Sequence, residues 1–416
     1  MKFELFVANK IRLDNSGNNR SAVSALNVAI VGMILAVVIM VVSVSVVAGF
    51  KQTITSKIEN LDSHIKIYNQ WADESGVIHN SISCSPSLDS LIHKGTDGLV
   101  ISSNLVSEIP CVLKTDSSFA GLRFKGIGKD FDMSFLQKSL VSGRADIAGS
   151  NVLISDKIAS KLSLKTGDRV SVYFMNGQNI KVRKCNVSGI YNTDFESFDN
   201  YVMIGDLSTL QSVNRWDKET ATYMDVTCSS LDDVENVRNE IINRFKSLSF
   251  ENQTDLTGSY IVSTIYENNP SLFAWLDLLD TNIAVVLGLM AFVASFAIIA
   301  CLIIVVLNKI NVIGVLKALG MTTGKIQLIF IMLVSRIVIR SVIIGNGLAL
   351  GVLLIQRHFH LIKLDAESYF MSYVPVEIDE RILLINLGFV IIAVVSMWMP
   401  SFIITGVTPY KSINFE

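Results

Sequence analysis

Apolar and polar positions alternate along this 416-residue chain in blocks much longer than a helical turn or a strand. Four apolar runs are bounded by charge: Arg20 to Lys51, Asp280 to Lys309, Lys325 to Arg357 and Arg381 to Lys411. Crossing ~30 Å of hydrocarbon takes a helix of about 20 apolar residues, and each run is long enough. The pattern predicts four transmembrane α-helices, over 24–49, 276–308, 326–356 and 382–406. Residues 1–23 read as an amphipathic N-terminal segment, 309–325 and 407–416 as a short link and a tail, and 357–381 as a loop. The third run contains Arg336 and Arg340. Each costs roughly 2.5 to 3.5 kcal/mol at mid-bilayer, against roughly 0.3 to 0.6 kcal/mol returned by each Leu, Ile, Val or Phe. Both lie nearer one end, where their heads can snorkel toward the headgroups.

Residues 50–275 have another texture. Ser, Asn, Asp and Gly turns separate runs with strand character, among them "HIKIYN", "GLRFKGIG", "RVSVYFM", "IKVRKCNVSGIY" and "TYMDVTC". Asn176-Gly177 is a hairpin signal, because this pair takes the positive φ angles of a two-residue turn. Leu231, Val234, Val237, Ile241, Phe245 and Leu248 recur at helical spacing, with Ser230 as cap and Asp232 and Asp233 at the positive end of the dipole. The expectation is a large α+β domain inserted between the first and second spans.

Composition agrees with this division. Half of the residues are hydrophobic and mean hydropathy is +0.47, beyond the soluble range, yet 17% are charged, so charge is concentrated outside the apolar runs. A net charge of −2 argues against nucleic acid as a partner. Lys2, Lys10, Arg12, Arg20, Lys309, Lys317, Lys325 and Lys411 flank the spans on one side, which predicts that both termini are cytoplasmic and the large domain lies outside. Val46 and Ala48 imitate a signal-cleavage site, but the preceding apolar run is about twice a signal core in length and reads as an uncleaved anchor.

Catalytic and metal signatures are missing. Gly320-Met-Thr-Thr-Gly324-Lys325 imitates a phosphate loop, but three residues separate the glycines instead of four, Ile326 stands where a hydroxyl would hold magnesium, and no strand precedes it. There is no HExxH and no GxSxG, and His64, His79 and His93 are scattered. His358 and His360, two apart, read as interfacial or solvated residues rather than metal ligands. Cys84, Cys111, Cys185 and Cys228 show no CxxC and read as free buried thiols, with Cys301 inside the second span. The chain reads as no enzyme and binds no cofactor of its own.

In "INVIGVLKALG", Ile310, Ile313, Leu316 and Leu319 or Gly320 recur every three or four residues, which predicts a short helix with one apolar face and Lys317 to the side. An interfacial helix and a knob for a soluble partner's groove both fit that pattern.

"IGVLKALGMTTGKIQLIF" resembles the segment after the second span in the MacB/FtsX class of ABC permeases. "VAGFKQTITSKIENLDSHIKIYN", "NVLISDKIASKLSLKTGDRVSVYF", "WLDLLDTNIAVVLGLMAFVASFAII", "IKLDAESYFMSYVPVEID" and "PSFIITGVTPYKSINFE" are similar to LolC/LolE lipoprotein-releasing permeases, in order along nearly the whole chain. The resemblance implies a bacterial inner-membrane permease subunit that extracts lipoproteins for transfer toward the outer membrane. ATP and magnesium would be bound by a separate dimeric LolD-like ATPase. Further implied partners are a second permease subunit, identical or related, the lipoprotein substrate, a periplasmic LolA-like carrier and membrane lipids. It also implies that Ile313, Gly314, Leu316, Lys317, Ala318, Leu319 and Gly320 dock into the ATPase. Met40, Val44, Val47 and Phe50, at helical spacing in span one, would line an acyl cavity. The alternative reading is a MacB/FtsX-like mechanotransmission permease for efflux or for control of a periplasmic cell-wall hydrolase.

Overall fold

The structure, a computed structural model, describes residues 20–72, 78–93, 96, 98–116, 118–176, 179–250 and 259–398. The predicted N-terminal segment as far as residue 19, residues 399–406 of the fourth predicted span and the tail 407–416 lie outside them. The helices of seven residues or more are α1 (Arg20–Leu61), α2 (Pro86–His93), α3 (Asp156–Leu162), α4 (Leu207–Asn214), α5 (Val234–Phe250), α6 (Pro270–Asn308), α7 (Ile310–Ala318), α8 (Thr323–Phe359) and α9 (Arg381–Trp398). The chain divides into two compact units. One comprises the described parts of Met1–Gln52, Trp275–Lys363 and Tyr373–Glu416; the other comprises those of Thr53–Ala274 and Leu364–Ser372.

The first unit is helical. Among the described residues α1, α6, α8 and α9 are long and apolar enough to cross a membrane. They bury a common core that includes Met33, Val37, Ile298, Leu302, Phe330, Val334 and Phe389. Their outward faces remain apolar, with Val285, Leu289 and Phe292 on α6 all more than half exposed, which is the pattern of helices solvated by lipid. Helix contacts in such a solvent depend on small residues and amide bonds. A Cβ on Gly345 of α8 would stand 2.9 Å from the Val37 Cβ of α1, so only glycine permits that approach. Asn346 of α8 and Asn386 of α9 exchange side-chain hydrogen bonds of 2.8 and 3.0 Å. Gly49 of α1 lies against the loop before α9, where a Cβ would stand 2.8 Å from the carbonyl of Pro375; nearby, the Glu377 amide donates to the Ser45 carbonyl.

The second unit carries the strands, and all five runs singled out in the sequence are among them. They are β1 (Ile65–Ala72), β2 (Ile78–Asn80), β3 (Ile82–Ser83), β4 (Val100–Lys114), β5 (Phe119–Ile127), β6 (Leu140–Gly143), β7 (Asn151–Ser155), β8 (Arg169–Asn176), β9 (Asn179–Tyr191), β10 (Val202–Asp206), β11 (Thr220–Ala221), β12 (Tyr223–Cys228) and β13 (Ser259–Thr264). Pairing runs β4–β5–β10–β7–β9–β8 and returns to β4, so six strands close into a ring. Its core holds Leu113, Phe124, Val172 and Phe174, with Ile158 and Leu162 from α3 and Leu210 from α4. The first half of β4 pairs instead with β12, and β12 continues through β1 to β13; α2 and α5 bury Leu88, Ile92, Val237 and Ile241 beside that second sheet. Pro110 sits at the changeover. Opposite it, the Arg123 amide donates away from β4, to the Tyr201 carbonyl. The proline nitrogen therefore faces the gap between the end of β12 pairing at Val106 and the start of β8 pairing at Cys111, where no donor is needed.

The predicted helix at 231–248 is present as a 3-10 turn, Leu231–Asp233, followed by α5, and the Ser230 hydroxyl accepts from the Asp232 amide. The hairpin differs by one position. Asn176 pairs with Asn179, so Asn176 is the last strand residue and the connection is residues 177 and 178, which are outside the described residues. All five cysteines are free. Burial pushes the thiols of Cys111 and Cys228 up to about 12 and that of Cys185 to about 11, which removes them as nucleophiles at neutral pH.

Charge fixes the end of α1 in this unit. Lys125, only 4% exposed, donates to the Leu61 carbonyl at 2.9 Å, placing a cation at the negative end of the helix dipole. Asp62 pairs with Lys66 at 2.6 Å and accepts from Asn269 at 2.9 Å. The tip of the 357–381 loop belongs here as well. Phe370 packs on Phe195 with ring centres 5.2 Å apart, its carbonyl accepts from Lys57, and Ser372 donates to Asp194.

Asp225, opposite Lys66 in the ladder, is almost fully buried. Burial raises its pKa from 3.8 to about 6, with Lys125 partly offsetting. A raised carboxyl keeps its proton in the folded state while the unfolded chain has lost it, so its stability contribution is complete below 3.8 and is lost as pH rises to about 6. The loss is about 1.4 kcal/mol for each pH unit between those values, roughly 3 kcal/mol in all. Burial raises Asp199 to about 6 as well, so unfolding of the protein followed between about pH 4 and 7 should show a decline from both carboxyls, and Asp225→Asn should remove its share and leave that of Asp199. A second expectation concerns Gly49. Gly49→Ala forces apart two backbones and should destabilise by about 1 to 3 kcal/mol. Gly288→Ala on α6, where a Cβ meets nothing within 4 Å, should be neutral or slightly stabilising. Thermal melts of both variants in lipid nanodiscs distinguish them.

Candidate functional site

The segment between α6 and α8 is built by two interruptions of helix. At the first, α6 ends at Asn308 and α7 begins after Lys309, whose φ and ψ of −118° and 25° turn the chain. At the second, Gly320 adopts a φ of +84°, the Gly320 amide bonds the Lys317 carbonyl and the Met321 amide bonds the Leu316 carbonyl. This is a Schellman termination, with glycine where a side chain would be strained. Thr322 then starts α8. The stretch resembling a phosphate loop is thus a helix stop followed by a helix start, and Gly324 already lies inside α8.

The predicted docking residues do not share one surface. Ile313 is fully buried in the helical core, beside Ile326 and Phe330 in the same cluster, and Gly314 is buried with it. Leu316 and Lys317 are half-buried, whereas Ala318, Leu319 and Gly320 are exposed, Leu319 by 78%. The outward stripe is Asn311, Val315, Ala318 and Leu319, spaced four, three and one residues apart on one helix face. Asn311 and Val315 escape a reading of periodicity because α7 is apolar on both sides, and only packing shows which side the chain uses itself. The segment carries Lys309, Lys317 and Lys325 and no acidic residue from 309 to 325.

The four residues of α1 divide similarly. Met40 is 4% exposed and part of the helical core, so the chain's own packing occupies it. Val44, Val47 and Phe50 are half-buried and retain surface for another molecule. Lys51 and Asp280, which bound the first and second apolar runs, pair at 2.5 Å. Arg336 is half-buried and Arg340 exposed, one turn apart on α8. Among the described residues no cluster of His, Cys, Asp and Glu could hold a metal ion.

Comparison with known proteins places these features. The MacB-like periplasmic core domain matches residues 26–244, and the FtsX-like permease C-terminal domain matches residues 284–409. The lipoprotein-releasing system transmembrane protein LolC of Xylella fastidiosa is 20% identical over 99% of both chains. The protein of the same name from Buchnera aphidicola is 24% identical over 64% of each. Among solved structures, the extracellular domain of the noncanonic ABC-type transporter YknZ from Gram-positive bacteria aligns at 16% identity and a TM-score of 0.32, covering 48% of this chain and all of that one. The periplasmic region of MacB from Actinobacillus actinomycetemcomitans aligns at 14% identity and a TM-score of 0.32, covering 50% and 91%. A periplasmic core domain that matches more than half of the chain, followed by an FtsX-like permease region, identifies this protein as a member of the MacB-like periplasmic core domain family and as an ABC transporter permease of the LolC/MacB/FtsX-like type.

Proposed function

We propose that this chain is one permease half of a transporter that releases lipoproteins from the bacterial inner membrane. The observation that carries this reading is the end-to-end correspondence with proteins named LolC, over 99% of both chains. In this reading the chain crosses the membrane four times with both termini in the cytoplasm and the strand-bearing unit in the periplasm. A second permease subunit completes the transporter, and a LolA-like carrier receives the cargo.

ATP and magnesium are held by a partner ATPase, which supplies the energy. Its movement enters through the outward stripe of α7, where Val315 and Leu319 fill an apolar groove while Ile313 ties the helix to the permease core. The three lysines of the segment favour an acidic rim on the partner. Work is needed because each buried acyl CH₂ holds the cargo in the bilayer by about 0.8 kcal/mol. The half-buried Val44, Val47 and Phe50 offer apolar surface to acyl chains as they leave the lipid.

Gentle purification followed by mass spectrometry of the bound polypeptides tests the reading. A small ATPase and an acylated lipoprotein are expected. A cell-wall hydrolase in place of the lipoprotein would overturn the release function in favour of a regulatory permease. Val315→Asp with Leu319→Asp should weaken ATPase association by about 2 kcal/mol or more, with helix content unchanged by circular dichroism. Undiminished association would remove α7 as the docking element.

A further inference from the structure

The strand-bearing unit contains a cleft of about 530 Å³ that the transport reading does not use, within the ~300–1,000 Å³ range of small-molecule sites. Its walls combine three aromatic rings with hydroxyl and amide groups, and among the described residues no aliphatic side chain lines it.

Each ring is held by a separate support. Trp71, near the end of β1, donates its indole N–H to the Ser81 hydroxyl at 3.3 Å and remains 37% exposed. Tyr260, on β13, is stacked from behind by Phe245 of α5, with ring centres 4.7 Å apart and planes within 17°. Trp216 follows the C-terminus of α4, and its amide bonds the Gln211 carbonyl. The buried Gln211 amide donates to the carbonyls of Lys218 and Thr220, so one side chain pins the loop that displays Trp216. Arg215, at the lip, has a left-handed φ of +57° although it is not glycine. The surrounding bonds hold it in a conformation that an arginine seldom adopts.

The chemistry of the lining selects among ligands. Among the described residues Arg215 and Asp217 are its charged ones and are opposite in sign, so the described lining has no net charge with which to select an anion or a cation. A bound peptide would call for aliphatic side-chain pockets, which the described lining does not offer. Flat rings offer surfaces for C–H faces, and the amides of Asn69 and Asn214 with the hydroxyls of Ser81, Ser83, Ser85 and Thr220 suit a dense array of equatorial hydroxyl groups. Sugars present both features together. We infer that this cleft is a binding site for an uncharged saccharide, with Trp71, Trp216 and Tyr260 as stacking surfaces and Arg215 and Asp217 as hydroxyl partners. Such a glycan can come from the cell wall, as N-acetylhexosamine units, or from a membrane glycolipid, as hexose or heptose units.

The full-length protein in phospholipid nanodiscs, free of sugar-based detergent, tests the inference by calorimetry and tryptophan emission. Two probes distinguish the sources: an N-acetylglucosamine tetramer and a neutral hexose–heptose oligosaccharide free of acidic sugars and phosphate. Saturable binding of one of them with a shift in tryptophan emission is expected. Trp216→Ala should weaken it by about tenfold or more, and Trp216→Tyr, which keeps a ring, by less. Arg215→Gly should also weaken binding with no loss of melting temperature, since glycine adopts the left-handed conformation freely. Failure of both probes to bind, or equal affinity in wild type and Trp216→Ala, would overturn the assignment. So would competition for the cleft by an unglycosylated peptide but by neither sugar. These outcomes are independent of ATPase or lipoprotein association.

Discussion

Apolar surface that water cannot accommodate constrains everything else in this protein. The four long helices bury only part of their most apolar windows, from 22% on α9 to 44% on α8, which leaves apolar surface suited to lipid or to another helix. Inside hydrocarbon each backbone amide has to bond within its own segment, a demand that the four long helices meet. The helices are then held together by contacts that do not rely on expulsion of water: the glycine approach of Gly345 to Val37, the fit of Gly49 against Pro375 and the paired amides of Asn346 and Asn386.

The same constraint places the polar half of the chain in segments between helices, and there the logic changes. Hydrophobic cores of the strand-bearing unit include, among the described residues, one inside a closed ring of six strands and one between a sheet and two helices. β4 is long enough to serve both, and Pro110 falls at the point where its outer edge changes partner. Buried charge appears mainly where it has a partner. Lys125 meets the carbonyl end of α1 and Lys66 meets Asp62, which limits the cost of desolvation. Asp225 is less fully compensated, and its pKa rises accordingly.

In the permease reading, α7 is small for the role given to it. Its two faces differ in surroundings. Ile313 and Gly314 join it to the helical core, and Val315 and Leu319 are exposed. The Schellman turn at Gly320 ends the helix with the Leu316 and Lys317 carbonyls bonded, which gives it a defined stop.

Much of this was legible in order along the chain. Runs of apolar residues announce lipid-solvated helices because length and absence of charge are local properties, and the strands at 65–72 or 169–176 announce themselves by β-type composition in the same way. The helix after Ser230 was legible too, since its apolar face and its cap are both local. What the linear pattern leaves open is which face a doubly apolar helix turns inward. Periodicity put Ile313 and Leu319 on one stripe, and packing separated them; likewise Met40 went to the core and Val44, Val47 and Phe50 did not. The closure of six strands through β8, the seat of the loop tip at Phe370 beside Phe195 and the meeting of Trp71, Trp216 and Tyr260 around one cleft join residues up to nearly two hundred positions apart. Local sequence sets the elements because their hydrogen bonds and hydrophobic period are short-range. Only the tertiary structure decides the sites, because a site consists of side chains that the fold brings together from elements with no local reason to meet.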